Sequence, residues 1–249
     1  MKDSFYIGYL PKAPRDLAKV MAVISAFLLT TTIAVSFLLV KSQDAFYPSR
    51  FEFGNTRTYE GWYQSHPVPS LIVVGPGLSG LAVNYLLVAE GKHGAEEQLT
   101  GLKEGPVRLE GTLIQRDQMR MLEVVSGSVE EGSDAARFHG VESVPLGSVT
   151  LRGEIVDSKC FLGVMNPGDK TVHRACATLC IRGDIPPMLV LKNPDQTFEY
   201  LLLRGAHGER INQAVLPYVA RPVVVEGDLY RHGSWLEVRA DPKTIKILR

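Results

Sequence analysis

Val107-Arg-Leu-Glu-Gly-Thr-Leu113 and Val223-Val-Val-Glu-Gly-Asp-Leu229 are two apolar-alternating runs of the same length, each with glycine at its fifth position. Alternation of this kind marks half-buried strands, and the internal glycine marks a bend or bulge. Working outward, each run sits in the same succession of short signals. The first copy carries Tyr59-Glu60-Gly61-Trp62-Tyr63, Pro69-Ser70-Leu71-Ile72-Val73, Tyr85-Leu86-Leu87-Val88, His93-Gly94, the Val107 run and Leu122-Glu123-Val124. The second carries Leu151-Arg152-Gly153-Glu154-Ile155, Pro187-Met188-Leu189-Val190-Leu191, Tyr200-Leu201-Leu202-Leu203, His207-Gly208, the Val223 run and Leu236-Glu237-Val238. Six signals in one order indicate an internal repeat.

After each His-Gly the spacing of Leu99 and Leu102, or of Ile211, Val215 and Val219, predicts a helix, over residues 95–103 in one copy and 209–219 in the other. Each copy therefore reads strand, strand, strand, helix, strand, strand. With glycines to bend the first and fourth strands, that order resembles the OB-fold, a five-stranded barrel. The expected fold class is mainly β: an N-terminal transmembrane helix followed by two tandem OB-like barrels, residues 57–126 and 148–249. The stretch 127–147, rich in Gly, Ser, Glu and Asp, reads as a linker between them.

Upstream, residues 20–40 read VMAVISAFLLTTTIAVSFLLV without a charge, long enough as a helix to cross the roughly 30 Å hydrocarbon core of a bilayer. Lys2, Lys12, Arg15 and Lys19 precede it, so the positive-inside bias places residues 1–19 in the cytoplasm and the barrels outside it, after a juxtamembrane linker over 41–56. A cleaved signal peptide is the competing reading. The long charged N-region and the lack of a small-x-small site at Phe37-Leu-Leu-Val40 favour a retained single-pass anchor. With 27 Lys+Arg against 27 Asp+Glu, the formal net charge is zero, and no basic stripe offers a surface for nucleic acid.

The copies differ in one place. Between its first and second strands the first copy uses about eight residues and the second about 34, a loop beyond usual lengths. This insertion, residues 157–185, holds all three cysteines: Cys160, then His173-Arg-Ala-Cys176-Ala-Thr-Leu-Cys180. Thiolate and imidazole suit zinc, and thiolates also suit copper or an iron–sulfur cluster, so Cys160, His173, Cys176 and Cys180 are a candidate metal set. If residues 173–180 were one helix, His173 and Cys180 would stand about 10.5 Å apart along its axis, too far to share one ion. The full set therefore requires a turn at residues 171–174 and a helix beginning near Ala175 and ending at Gly183; an open fourth position is equally allowed if His173 only hydrogen-bonds nearby.

A disulfide from Cys160 to Cys176 or Cys180 fits the spacing equally well in an oxidising compartment, and inert thiols are a third reading. Without Cys-x-x-Cys, neither a thioredoxin-like nor a zinc-ribbon reading is favoured. Asp157, Lys159, Arg174, Arg182 and Asp184 bracket the thiols, where a cation would lower a neighbouring thiol's pKa, and read equally as a solvated charged rim. His93, His207 and His232 each precede a glycine and read as turn residues, while His66 and His139 have no evident partner. Gly75-Pro-Gly77-Leu-Ser-Gly80 matches a dinucleotide pattern only superficially.

The segment Gly153-Glu-Ile-Val-Asp157-x-x-Cys160, His173-Arg-Ala-Cys176-Ala-x-x-Cys180 and Gly183-x-x-Pro186 resembles one found in uncharacterised bacterial membrane-anchored envelope proteins, as does Phe5-Tyr-Ile-Gly-Tyr9-Leu-Pro11. The resemblance implies an inner-membrane, periplasm-facing setting and no particular reaction. The expected function is thus an accessory or electron-transfer component with a Cys/His metal loop, beside a protein partner in the membrane or periplasm. No hydrolase or transferase constellation stands out. The alternative is a non-catalytic interaction module with a disulfide-stapled loop.

Overall fold

A computed structural model describes residues 14–42, 48–74, 82–132, 140–195 and 197–248. The Phe5–Pro11 segment, the Gly75–Gly80 pattern and His139 lie outside them. The chain divides into two compact units, residues 1–46 and 47–249. In the first, helix α1 (Arg15–Ser42) is long and apolar enough to cross a membrane. It contains the uncharged stretch 20–40 and extends it at both ends.

The second unit contains two closed five-stranded barrels. The first is built from β1 (Ser49–Gln64), β2 (Ser70–Val74), β3 (Ala82–Val88), β4 (Gly105–Arg116) and β5 (Met119–Val124), and the short β6 (Glu130–Glu131) pairs with β4. Neighbours run β1-β2-β3-β5-β4, and β4 closes back onto β1. The second barrel uses β7 (Ser143–Asp157), helix α2 (Lys170–Arg182), β8 (Pro187–Lys192), β9 (Phe198–Arg204), α3 (Asn212–Val215), β10 (Pro222–His232) and β11 (Trp235–Arg239), with β12 (Lys246–Ile247) against β10. Its order is β7-β8-β9-β11-β10, closed by β10 on β7. In each barrel the only parallel pair among the described strands is the third with the fifth, β3 with β5 and β9 with β11. This is the expected OB-like topology twice over.

Equivalent glycines allow both barrels to close. A Cβ on Gly61 would stand 2.5 Å from the Ile72 carbonyl oxygen, and one on Gly153 would stand 2.5 Å from that of Val190. Only glycine lets the first strand press this closely on the second.

Three of the hydrophobic cores run through this unit. Leu71, Leu87, Leu109 and Leu122 fill the first barrel, and Ile155, Leu189, Leu201, Val225 and Val238 fill the second. A third core lies between them: Leu86, Val88, Ile114 and Met121 from the outer face of the first barrel meet Val156, Phe161, Met188, Phe198, Tyr200 and Trp235 from the second. Both faces of β2, β3, β8 and β9 are consequently apolar. That explains a slip in the repeat: Leu71 pairs with Tyr85 and its counterpart Leu189 with Leu201, so Tyr85 corresponds to Leu201 and not to Tyr200. Tyr85 packs partly against the first barrel's interior, whereas Tyr200 faces the core between barrels.

Several expected boundaries differ. Residues 49–56, read as linker, belong to β1, whose Ser49 and Phe51 pair with Arg116 and Ile114 across an irregularity that ends at Thr56. Residues 143–147, also read as linker, begin β7, with Ser143 opposite His232. Residues 95–103 form turns, because so short a stretch with Gly101 at φ +81° cannot meet the cost of helix nucleation. In the second copy the helix is cut to α3 and a 3₁₀ turn (Leu216–Tyr218) that contains Pro217. The expected apolar residues are nonetheless buried: Leu99 in one copy, Ile211, Val215 and Val219 in the other.

Candidate metal centre

The insertion leaves β7 at Asp157, makes one π-helical turn (Cys160–Val164), crosses to α2 and returns to β8 at Pro187. Asp157 is fully buried and starts that turn, its Oδ1 accepting from the Cys160 backbone N–H at 2.8 Å. Both neighbours of Cys160 are held by the first barrel. Lys159, 2% exposed, donates to the carbonyl oxygens of Ala89 and Gly91 at 2.8 Å and pairs with Glu123. Phe161 accepts at its carbonyl from Arg116 Nη1 at 3.0 Å, and the same guanidinium stacks 4.0 Å from its ring.

Helix α2 supplies the other two thiols. Cys176 and Cys180, one turn apart, face the same side. The helix ends where Asn212 Nδ2 donates to the carbonyls of Ile181 (2.8 Å) and Ile185 (2.9 Å). Gly183 then lies against the first barrel, where a Cβ would fall 2.0 Å from the Lys92 carbonyl oxygen, and its own carbonyl accepts from the Gly94 N–H at 2.8 Å.

These supports bring the three sulfurs together. Cys160 Sγ is 3.9 Å from Cys176 Sγ and 3.8 Å from Cys180 Sγ, all three being free thiols. Cys160 and Cys180 are buried and Cys176 is half-buried, so the group opens toward solvent at Cys176. Lys92, an exposed residue of the first barrel, donates from Nζ to Cys176 Sγ at 2.7 Å and to Cys180 Sγ at 3.6 Å. Its bond to Cys176 holds the ammonium above its ordinary pKa. The bond to Cys180, then burial, push the Cys160 thiol up, whereas the bond from Cys160, helped by the charge of Lys92, draws Cys180 down against its own burial.

His173 is grouped with only one of the three sulfurs, a ring nitrogen lying within 4.8 Å of Cys160 Sγ. Helix α2 begins at Lys170, five residues before the expected start at Ala175, so no turn at 171–174 swings the imidazole back. His173 and Cys180 therefore lie on one continuous helix, the arrangement that separates them too far along the axis to share an ion. His173 Nε2 instead meets Asp157 Oδ2 at 3.1 Å, both residues buried. The possible ligand atoms thus form two groups, each with its atoms within 4.8 Å of one another: Cys160, Cys176 and Cys180 in one, and Asp157, Cys160 and His173 in the other. Cys160 belongs to both.

Of the charged rim, Asp157 and Lys159 are buried and serve the site directly, and Asp184 pairs with Arg210 at 2.9 Å. Sequence reading had no reason to select Lys92, Arg116 or Glu123. The turn that carries Lys92 is closed by the Ala89 N–H on the His93 carbonyl and its counterpart by the Gly205 N–H on the Glu209 carbonyl, so Lys92 stands where the second copy has Gly208, and the two His-Gly pairs are not equivalent. His93 and His207 are exposed turn residues, and His232 is buried against Glu237. In comparisons with known proteins, the chain matches no family model, no curated protein and no solved structure.

Proposed function

We propose that this is a membrane-anchored, periplasm-facing protein that holds one soft transition-metal ion through Cys160, Cys176 and Cys180. It serves as an accessory component beside a membrane complex, not as an enzyme. The observation that supports this reading is the spacing of the sulfurs, 3.8 and 3.9 Å from Cys160. With metal–sulfur bonds of about 2.3 Å, two thiolates on one ion stand about 3.8 Å apart in a tetrahedron and about 4.0 Å apart in a trigonal plane. An iron–sulfur cluster spreads its cysteines over several irons, so this close triangle suits a single zinc(II) or copper(I) ion. Lys92 offsets part of the thiolate charge, and His173 supports the site through Asp157 instead of binding the ion. Copper would give the centre an electron-transfer role, whereas zinc, which has no redox chemistry, would make it structural.

Metal analysis with a thiol count on full-length protein, purified in detergent with oxygen excluded, tests the reading. Near one zinc or copper per chain, lost in Cys176→Ser, is the expected result. Absence of metal with one titratable thiol would overturn it in favour of the second reading, an interaction module stapled by a disulfide at Cys160. The same short sulfur separations favour that alternative, since a modest rotation closes either bond.

A further inference from the structure

Behind the insertion, on the side of Phe161, lies a cleft of about 300 Å³ unconnected with the thiols. Its walls are Val156, Phe161, Val190 and Phe198, all buried, with Pro222 and Leu248 at the edge. This is the margin of the apolar face that the second barrel turns toward the first, at a place the first barrel leaves uncovered.

Asp169 also lines the cleft. It precedes α2 at the N-cap position, where an aspartate ordinarily accepts from the first turn of the helix, yet its side chain makes no cap bond. That bond comes from another strand, the Lys170 N–H donating to Glu154 Oε1 at 2.5 Å. Asp169 is 7% exposed, and its Oδ1 has no hydrogen-bond partner. A buried carboxylate oxygen left without a hydrogen bond is destabilising, and such an atom beside a cavity asks for a donor. Glu154 lines the same cleft, and burial raises its pKa. Three exposed cations line the cleft, Arg152, Lys170 and Lys192, of which Arg152 and Lys192 have no partner among the described residues.

The cleft therefore has an acceptor at depth, an aromatic and aliphatic wall, and positive charge at the mouth. We infer that it binds a zwitterionic amino acid with an apolar side chain. The ammonium donates to Asp169, the side chain lies on Phe161 and Phe198, and the carboxylate turns outward to Arg152 and Lys192. A simple amine would leave the cations unused, and a simple carboxylic acid would leave Asp169 unpaired. The volume suits a single residue. The site is independent of the metal reading.

Calorimetric titration of the full-length protein in detergent with L-phenylalanine and L-leucine tests this. Saturable binding is expected. Phenethylamine, which lacks the carboxylate, and N-acetyl-L-phenylalanine, which lacks the ammonium, should each bind roughly tenfold more weakly or not at all. Asp169→Asn should weaken L-phenylalanine by a similar factor while leaving the circular dichroism and thermal unfolding of the protein unchanged, which shows that the variant is folded. If neither amino acid binds at millimolar concentration, or if N-acetyl-L-phenylalanine binds as well as the free amino acid, the inference is overturned. Because the two analogues are tested on the unaltered protein, it stays decidable even if the variant fails to fold.

Discussion

The two barrels have the same strand order, the same parallel pairing of third and fifth strands and the same pinch glycines, yet they divide the work unequally. The second carries the insertion with every thiol. The first, with a short loop at the same place, supplies what grips that insertion: the Ala89 and Gly91 carbonyls and Glu123 on Lys159, Arg116 on Phe161, and Lys92 on Cys176. The glutamates of the two last strands show the divergence, although they are not register equivalents: Glu123 pairs with Thr112 and Glu237 with Tyr230, so Glu123 stands where the second barrel has Arg239. Glu123 reaches across to the insertion, whereas Glu237 stays at home with His232 and Arg239. A long loop becomes a defined site when a second copy of its own scaffold is packed against it.

If the first barrel is the clamp, its largest effect should appear at Lys159. Lys159→Met removes a buried ammonium and leaves two carbonyls and Glu123 without their donor, a change expected to cost about 3–5 kcal/mol. Urea unfolding of the full-length protein measures it, with Lys243→Met, at an exposed site, as the control. A loss no larger than the control's would mean that the barrels hold the insertion by apolar packing alone.

The home glutamate should be felt next, and with a sign. Burial pushes Glu237 up, but the bonds from His232 and Arg239 outweigh it and hold its pKa below the usual value of 4.5. A carboxylate depressed by folding contributes stability that is present above its unfolded pKa and is lost as the pH falls through the folded one. Glu237→Gln should therefore cost about 1.5–3 kcal/mol near neutrality, from bonds to a charged group. The gap to wild type should narrow as the pH drops below 4.5. Glu96 and Glu154, whose pKa values burial raises, contribute in the opposite sense to both proteins and cancel in the difference. A gap that stays constant from pH 6 to about pH 3 would show that Glu237 acts through shape and not through charge.

The pinch glycines test whether the barrels are built alike. Gly61→Ala and Gly153→Ala each place a methyl 2.5 Å from a carbonyl oxygen of the next strand, and each should lose about 1–3 kcal/mol. Similar losses in thermal unfolding would support two equivalent closures. A large loss at Gly153 alone would show that the insertion, whose start lies four residues on, has made the second barrel the stiffer of the two.

Much of this was legible because strand alternation, strand glycines and a long uncharged run are local signals. The repeat, the barrel topology and the apolar helix follow from them. The slip at Tyr85 and Tyr200 was hidden because Tyr-Leu-Leu-Val and Tyr-Leu-Leu-Leu are apolar on both faces, and a pattern without alternation cannot say which side faces in. The same continuous apolarity was the trace of the third core. At the site, Cys176 and Cys180 could be placed by helical spacing, and Cys160 by its position in the loop. The start of α2 was misplaced because Glu154, on a strand, caps it where sequence neighbours do not. Lys92 lies 84 residues from Cys176, and no local pattern spans that distance.

Lys92 should have the smallest effect on stability and a specific one on chemistry. Because it is exposed, Lys92→Met should shift unfolding by no more than about 0.5 kcal/mol. Its ammonium nevertheless donates to Cys176 Sγ at 2.7 Å, and its charge helps to draw Cys180 down, so its loss removes the counter-charge at the open end of the thiol group. Alkylation of the metal-free protein at neutral pH, with mass spectrometry to assign the modified thiol, should slow several-fold at Cys176 while the buried Cys160 stays slow in both forms. Retention of metal against a chelator should fall as well, since the thiolate triangle would lose its counter-charge. If the variant alkylates and holds metal like the wild type, the first barrel grips the insertion without tuning it, and the reactivity of the thiols belongs to the second barrel alone.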